Sequence, residues 1–251
     1  MRQGNSPRRA PAPCGATIWL PLLAALFLMA CQNIEEAAFE EGMEAYARGD
    51  FKTAMEKWRP LAEGGNPSAQ TNLGVMYYQG RGVRPDYREA LRWYRLAARK
   101  NYPEAMYNMG VAYMEGKGVE RNPEEALKWY RAAAEGGYAA AQLLLGNLYQ
   151  RGQGVAADPK EAARWFLAAA EQGDSTAQFL LATAYLTGSG VNQDDVQAYK
   201  WLTIAAEQGN DQAKSSAGMA LQQLAQRMSP EQIEEAERLA REWLAAYSAS
   251  N

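Results

Sequence analysis

A 36-residue period runs through this chain in several columns at once, and it rules out an ordinary single-core globule. Trp93, Trp129, Trp165 and Trp201 keep that step, as do Tyr77, Tyr113, Tyr149 and Tyr185. So do Gly82, Gly118, Gly154 and Gly190, each followed by a valine (Val83, Val119, Val155, Val191). One supersecondary unit has been copied, and such units bury their apolar faces only by stacking on one another. A stack offers a long surface to partners and no obvious reaction pocket.

The unit at 109–144 shows why it folds. A first helix, about Pro103 to Glu115, ends in the loop Gly116-Lys117-Gly118-Val119, where Lys117 is expected to be exposed. Asn122 then caps a second helix, Pro123 suits its first position, and Glu125 is placed to close a capping box. Asp86 with Glu89, Asp158 with Glu161 and Asp194 with Gln197 repeat the signal. Gly65, Asn101, Gly137, Gly173 and Gly209 sit where second helices should stop in the left-handed conformation. Between cap and stop, Ala126, Trp129, Tyr130, Ala133 and Ala134 fall at helical spacing and predict a buried face.

Composition removes whole reaction classes. The chain has no histidine, so Ser-His-Asp and Cys-His nucleophile systems and the commonest metal ligand are out of reach. Its two cysteines, Cys14 and Cys31, both precede the repeats, and a net charge of −3 suits nucleic acid poorly. No cofactor and no metal is expected. Gly-x-Gly without a preceding strand or a phosphate-loop lysine is turn chemistry, and the acid pairs Glu124-Glu125 and Asp194-Asp195 sit at helix starts, where carboxylates complement the dipole.

The N-terminus is another kind of sequence. Arg2, Arg8 and Arg9 precede an uncharged apolar stretch, Ala16 to Ala30, that is too short to span a bilayer and reads as an export signal. Its end, Leu28-Met29-Ala30-Cys31, resembles the lipobox of bacterial lipoproteins. That resemblance implies cleavage before Cys31 and lipidation of Cys31; the alternatives are a plain secretory signal or an uncleaved anchor. Residues 1–30 are then signal peptide and 31–34 a short tether. Mature net charge becomes −6.

Leu73-Gly74-Val75-Met76-Tyr77-Tyr78-Gln79-Gly80-Arg81-Gly82-Val83, followed by Asp86, Ala90, Trp93-Tyr94 and Ala97-Ala98, resembles the Sel-one-like repeat (SLR), a relative of the tetratricopeptide repeat. The resemblance implies an all-α fold, an α-solenoid of stacked antiparallel helix pairs in a right-handed superhelix. It covers four units, 73–108, 109–144, 145–180 and 181–216. Residues 35–72 form a divergent first unit with a loop four residues shorter, in which Gly42 aligns with Gly74 and Trp58 with Tyr94. Residues 217–251 are capping helices, the last starting at Ser229-Pro230.

Two surfaces are candidates for binding. By the tetratricopeptide register the concave face carries Phe39, Met43, Tyr46, Thr71, Val75, Tyr78, Tyr107, Val111, Met114, Leu143, Asn147, Gln150, Phe179, Thr183, Leu186 and Met219, which either line a groove or pack on the adjacent helix. Arg88, Arg92, Arg95 and Arg99 form a one-sided ridge, either a solvated face or a contact for an anionic partner such as lipid headgroups. The resemblance implies a monomeric, non-enzymatic scaffold, lipid-anchored in the bacterial envelope on the periplasmic face of the outer membrane, binding a protein or peptide. The competing readings are a cell-wall or β-lactam-acting enzyme and a regulatory partner of a membrane sensor. Against the enzyme, the regular cysteine pairs of penicillin-linked relatives and a Ser-x-x-Lys motif are both absent from the sequence.

Overall fold

The computed structural model describes the backbone of residues 19–209 and 211–250 and the side chains of residues 33–209 and 213–250. Among these the chain is entirely helical. The helices are α1 (Trp19–Ala47), α2 (Phe51–Glu63), α3 (Pro67–Gln79), α4 (Tyr87–Ala98), α5 (Pro103–Glu115), α6 (Pro123–Glu135), α7 (Ala139–Arg151), α8 (Pro159–Glu171), α9 (Ser175–Thr187), α10 (Asp195–Gln208), α11 (Asp211–Ala225) and α12 (Pro230–Ser250). From α1 to α11 each packs chiefly on its neighbours in the chain, which makes an α-solenoid of antiparallel pairs. The pairs break before Pro67, Pro103, Ala139 and Ser175, six residues ahead of the boundaries drawn from the sequence columns.

Asp86, Asn122, Asp158 and Asp194 accept from the backbone N–H three residues on at 3.0–3.1 Å, as caps should. The expected capping boxes are not made. Each cap residue's own N–H donates instead to the carbonyl of Tyr77, Tyr113, Tyr149 or Tyr185, at 2.9–3.0 Å. That bond ties loop to first helix and leaves the third-position carboxylates free. Glu89, Glu125 and Glu161 therefore pair with Arg92, Lys128 and Arg164 one turn on. A reciprocal box does form at Ser229 and Gln232, where no preceding carbonyl competes.

Gly65, Asn101, Gly137 and Gly173 have φ of 57–96°, the left-handed stops expected of them. Gly209 does not: at φ −69° and ψ 165° it leaves α10 extended, and the chain turns directly into α11. Inside the pairs, Gly42, Gly74, Gly110 and Gly146 lie so close to the rings of Trp58, Tyr94, Tyr130 and Phe166 that an added methyl would overlap them. In the last repeat Ala182 replaces the glycine and Leu202 replaces the ring, both fully buried. Smaller partner and larger backbone residue compensate, which keeps the helices close-packed.

The first pair has the shortened loop, three residues from Arg48 to Asp50. Before it, α1 of the full-length chain runs unbroken from Trp19 through Cys31 to Ala47. Residues 33–37 are an exposed helical overhang, and packing starts at Ala38 and Phe39, the latter's ring lying 6.1 Å from that of Trp58. At the other end α12 lies back along α10. Trp243 meets Trp201 edge-on at 5.6 Å, and the Tyr247 hydroxyl donates to the Gln172 carbonyl at 3.0 Å.

Candidate functional site

The sixteen groove candidates fall into three groups. Thr71 is wholly buried, its hydroxyl donating to Pro67 O at 2.8 Å within α3, and it lines no surface. The tetratricopeptide register fails there because a small hydroxyl at that position sinks into the helix pair, whereas Tyr107 and Phe179 in the same column stay half-buried. Met43, Gln150 and Met219 are exposed. Phe39, Tyr46, Val75, Tyr78, Tyr107, Val111, Met114, Leu143, Asn147, Phe179, Thr183 and Leu186 are half-buried.

The aromatic members lean on their own second helices. Tyr46 packs on Trp58 at 5.5 Å, and Tyr107 packs on Tyr130 and Tyr138 at 5.5 and 5.3 Å. Tyr78 ties two repeats together: its ring meets Tyr87 at 5.2 Å and its hydroxyl donates to Glu115 at 2.7 Å. Lys117 is not the free loop side chain expected; it pairs with Glu115 at 2.7 Å and lies over the Tyr78 and Tyr87 rings. The Lys117 ammonium, then the Tyr78 hydroxyl, hold the Glu115 carboxyl below its ordinary range. Burial pushes Tyr78 and Tyr94 well up, and Tyr130 and Tyr138 to about 12. These tyrosines are neutral phenols at physiological pH, suited to hydrogen bonding and stacking rather than to proton abstraction.

Arg88, Arg92 and Arg95 on α4, and Arg99 directly after it, are all exposed. Arg92 pairs with Glu89 at 2.6 Å and covers the Trp93 ring; among the described residues the other three have no carboxylate within ion-pair distance. Residues 1–18 and the side chain of Cys31 lie outside what the structure describes, so the signal-peptide and lipidation expectations are not visible in it. Among the described residues no helix is long and apolar enough to cross a membrane, and no three His, Cys, Asp or Glu side chains converge on a metal position.

Sequence reading missed two features. Gln70, Gln142 and Gln178 are buried and donate to the carbonyls of Ala62, Ala134 and Ala170, satisfying the end of the preceding second helix. Their spacing was the available signal, interrupted by Met106. The second is a cavity of 540 Å³ beside α6, lined by Met114, Leu127, Tyr130, Leu148 and Arg131 among others. No column marks it, because it arises where one loop departs from the rest.

Comparison with known proteins agrees with this architecture. The Sel1 repeat family model matches residues 67–102, 103–138, 139–174 and 175–210, more than half of the chain, in phase with the helix pairs. A Sel1 repeat protein from Oxalobacter formigenes is 39% identical over 68% of this chain and 49% of its own, with a TM-score of 0.64. The protein c5321, a protective antigen of uropathogenic Escherichia coli strains with an SLR fold, is 37% identical over 85% of this chain and 47% of its own, with a TM-score of 0.65. The chain thus spans about half the length of these two structures. The immunity protein Pa5087 from Pseudomonas aeruginosa shares the fold at 21% identity, covering 86% of this chain and 81% of its own, with a TM-score of 0.50. Among curated proteins none matches.

Proposed function

Because the chain belongs to the Sel1 repeat family, we propose that it is a non-enzymatic scaffold holding a partner protein or peptide along its first helices. The observation that carries this reading is the run of half-buried apolar and aromatic side chains at Val75, Tyr78, Tyr107, Val111, Leu143 and Phe179, on successive first helices. Exposed Met43 and Met219 flank it. Preformed apolar surface of this kind favours binding, and the tyrosine rings within it supply large amphipathic contact area.

The same proposal places the protein in the bacterial envelope, at the periplasmic face of the outer membrane, with lipid on Cys31. After cleavage there, α1 from Cys31 to Phe39 would be a helical stem roughly 12 Å long rather than a flexible tether. A partner would then be held close to the bilayer, and the exposed arginines of α4 would favour an anionic surface at about 1 kcal/mol each.

One experiment separates anchor from groove. Crosslinking in the native envelope is compared for wild type, Cys31→Ala and the triple variant Val111→Glu, Asn147→Arg, Thr183→Glu. The expected result is loss of fatty-acid labelling in Cys31→Ala, and loss of the crosslinked partner with unchanged helicity in the triple variant. A folded triple variant that retains its partner removes the first-helix surface as the site. Equal labelling of Cys31→Ala removes the lipoprotein reading.

A further inference from the structure

We propose that the cavity between α6 and the loop 152–158 binds a small amphipathic carboxylate, its apolar body against Met114, Leu127 and Leu148 and its charge toward Arg131. This site is separate from the first-helix surface and does not depend on the envelope reading.

The cavity exists because one loop stands off. In the other three loops the second glycine lies against the start of the preceding second helix: Gly82 on Phe51, Gly118 on Tyr87 and Leu91, Gly190 on Pro159. Gly154 has the same φ of 74° as Gly82 and Gly118, yet a methyl built on it would meet nothing within 4 Å. Leu91, sealed by its loop, is 1% exposed, while Leu127 in the same column is half-buried and faces the gap. At 540 Å³ the gap falls within the roughly 300–1,000 Å³ of ordinary ligand sites. The corresponding hollow beside α2 is smaller, 390 Å³, and around Met55, Pro60 and Arg59 it adds the charged side chains of Lys52, Glu56 and Glu63.

The polar groups at the cavity select the ligand's charge. Lys128 is exposed and already paired with Glu125 at 2.9 Å. Arg131 is half-buried, and among the described residues it has no carboxylate within ion-pair distance. One guanidinium nitrogen donates to the Tyr149 hydroxyl at 3.2 Å. Arg59 and Tyr77 make the same bond at 3.1 Å two units earlier; at Arg131 it fixes the guanidinium in place and leaves its other donors unspent. A fixed guanidinium beside apolar walls matches a carboxylate on an apolar body, with the planar fork favouring two parallel hydrogen bonds. Glu124, exposed at the rim, turns the carboxylate away from the mouth and toward Arg131.

The probe is decanoate below its micelle concentration, titrated into protein with labelled leucine methyls. Saturable shifts are expected at Leu127 and Leu148 and not at Leu91. Arg131→Gln should weaken decanoate about tenfold, the scale of one charge-assisted contact, while leaving the neutral decan-1-ol unchanged. Leu127→Trp, which fills the gap, should weaken both by about tenfold or more. Absence of saturable shifts at Leu127 and Leu148, or shifts that appear equally at Leu91, overturns the proposal. Undiminished decanoate binding by folded Leu127→Trp or by Arg131→Gln overturns it too. Should Leu127→Trp fail to fold, the wild-type methyl map and Arg131→Gln decide the question.

Discussion

The pairs α3/α4 and α5/α6 are built from the same template and pack differently. Trp93 is 2% exposed and Leu91 1%, whereas Trp129 and Leu127, 36 residues on, are only half-buried. Nothing in their own helices explains this, since caps, stops and the Gly–Tyr contact (Gly74 with Tyr94, Gly110 with Tyr130) are alike. For the leucines the difference comes from the next unit's loop, which seals Leu91 through Gly118 and leaves Leu127 open at Gly154. In a solenoid each unit contacts only its neighbours, so the burial of a side chain is decided partly by the following repeat.

The largest test of that contrast is the tryptophan column. Trp93→Ala removes a buried ring and should cost ~3–5 kcal/mol in denaturant unfolding. Trp129→Ala removes a ring that is only half-buried, where less contact is lost, and should cost ~1–2 kcal/mol less. Equal losses would mean that the two rings contribute alike despite their different burial.

Features that repeat are legible in the sequence, because they arise from local backbone chemistry. Caps at Asp86, Asn122, Asp158 and Asp194, the left-handed stop at Asn101, and the alignment of Gly42 with Gly74 and Trp58 with Tyr94 need only spacing and residue type. Features that depend on a distant partner are not. The tyrosine carbonyls that take the cap N–H groups, the extended Gly209, buried Thr71 and the cavity at Gly154 all depend on contacts outside the local motif.

A smaller effect separates the two loops directly. Gly118 and Gly154 share φ of 74°, so alanine at either meets the left-handed penalty of roughly 1–2 kcal/mol. At Gly118 the new methyl also meets the Tyr87 carbonyl at 2.7 Å and the Leu91 side chain at 2.8 Å. Gly118→Ala should therefore lose about 1–3 kcal/mol more than Gly154→Ala, the range for overpacking. Thermal or denaturant unfolding of the pair measures this; indistinguishable variants would place the loop at 152–155 against α6 after all.

The smallest effect lies at the opposite ends of the same two pairs, where the first turn carries Ser68 in α3 and Glu104 in α5. The Ser68 hydroxyl donates to Tyr102 at 3.1 Å, a neutral contact. Glu104 is half-buried, its charge felt by Tyr138 and Tyr94, and burial raises its carboxyl above the ordinary value. A helix N-terminus alone would favour the anion by ~0.3–1 kcal/mol, so the upward direction means that desolvation outweighs the dipole. With the folded value above the unfolded one, Glu104's contribution is fully present below the unfolded value and declines as pH rises through the folded one. Glu104→Gln should stabilise the protein at pH 7 by no more than about 0.5 kcal/mol, with the gain fading toward pH 3, while Ser68→Ala shows no such trend. A gain of the same size at both pH values would assign the effect to side-chain packing instead of to charge.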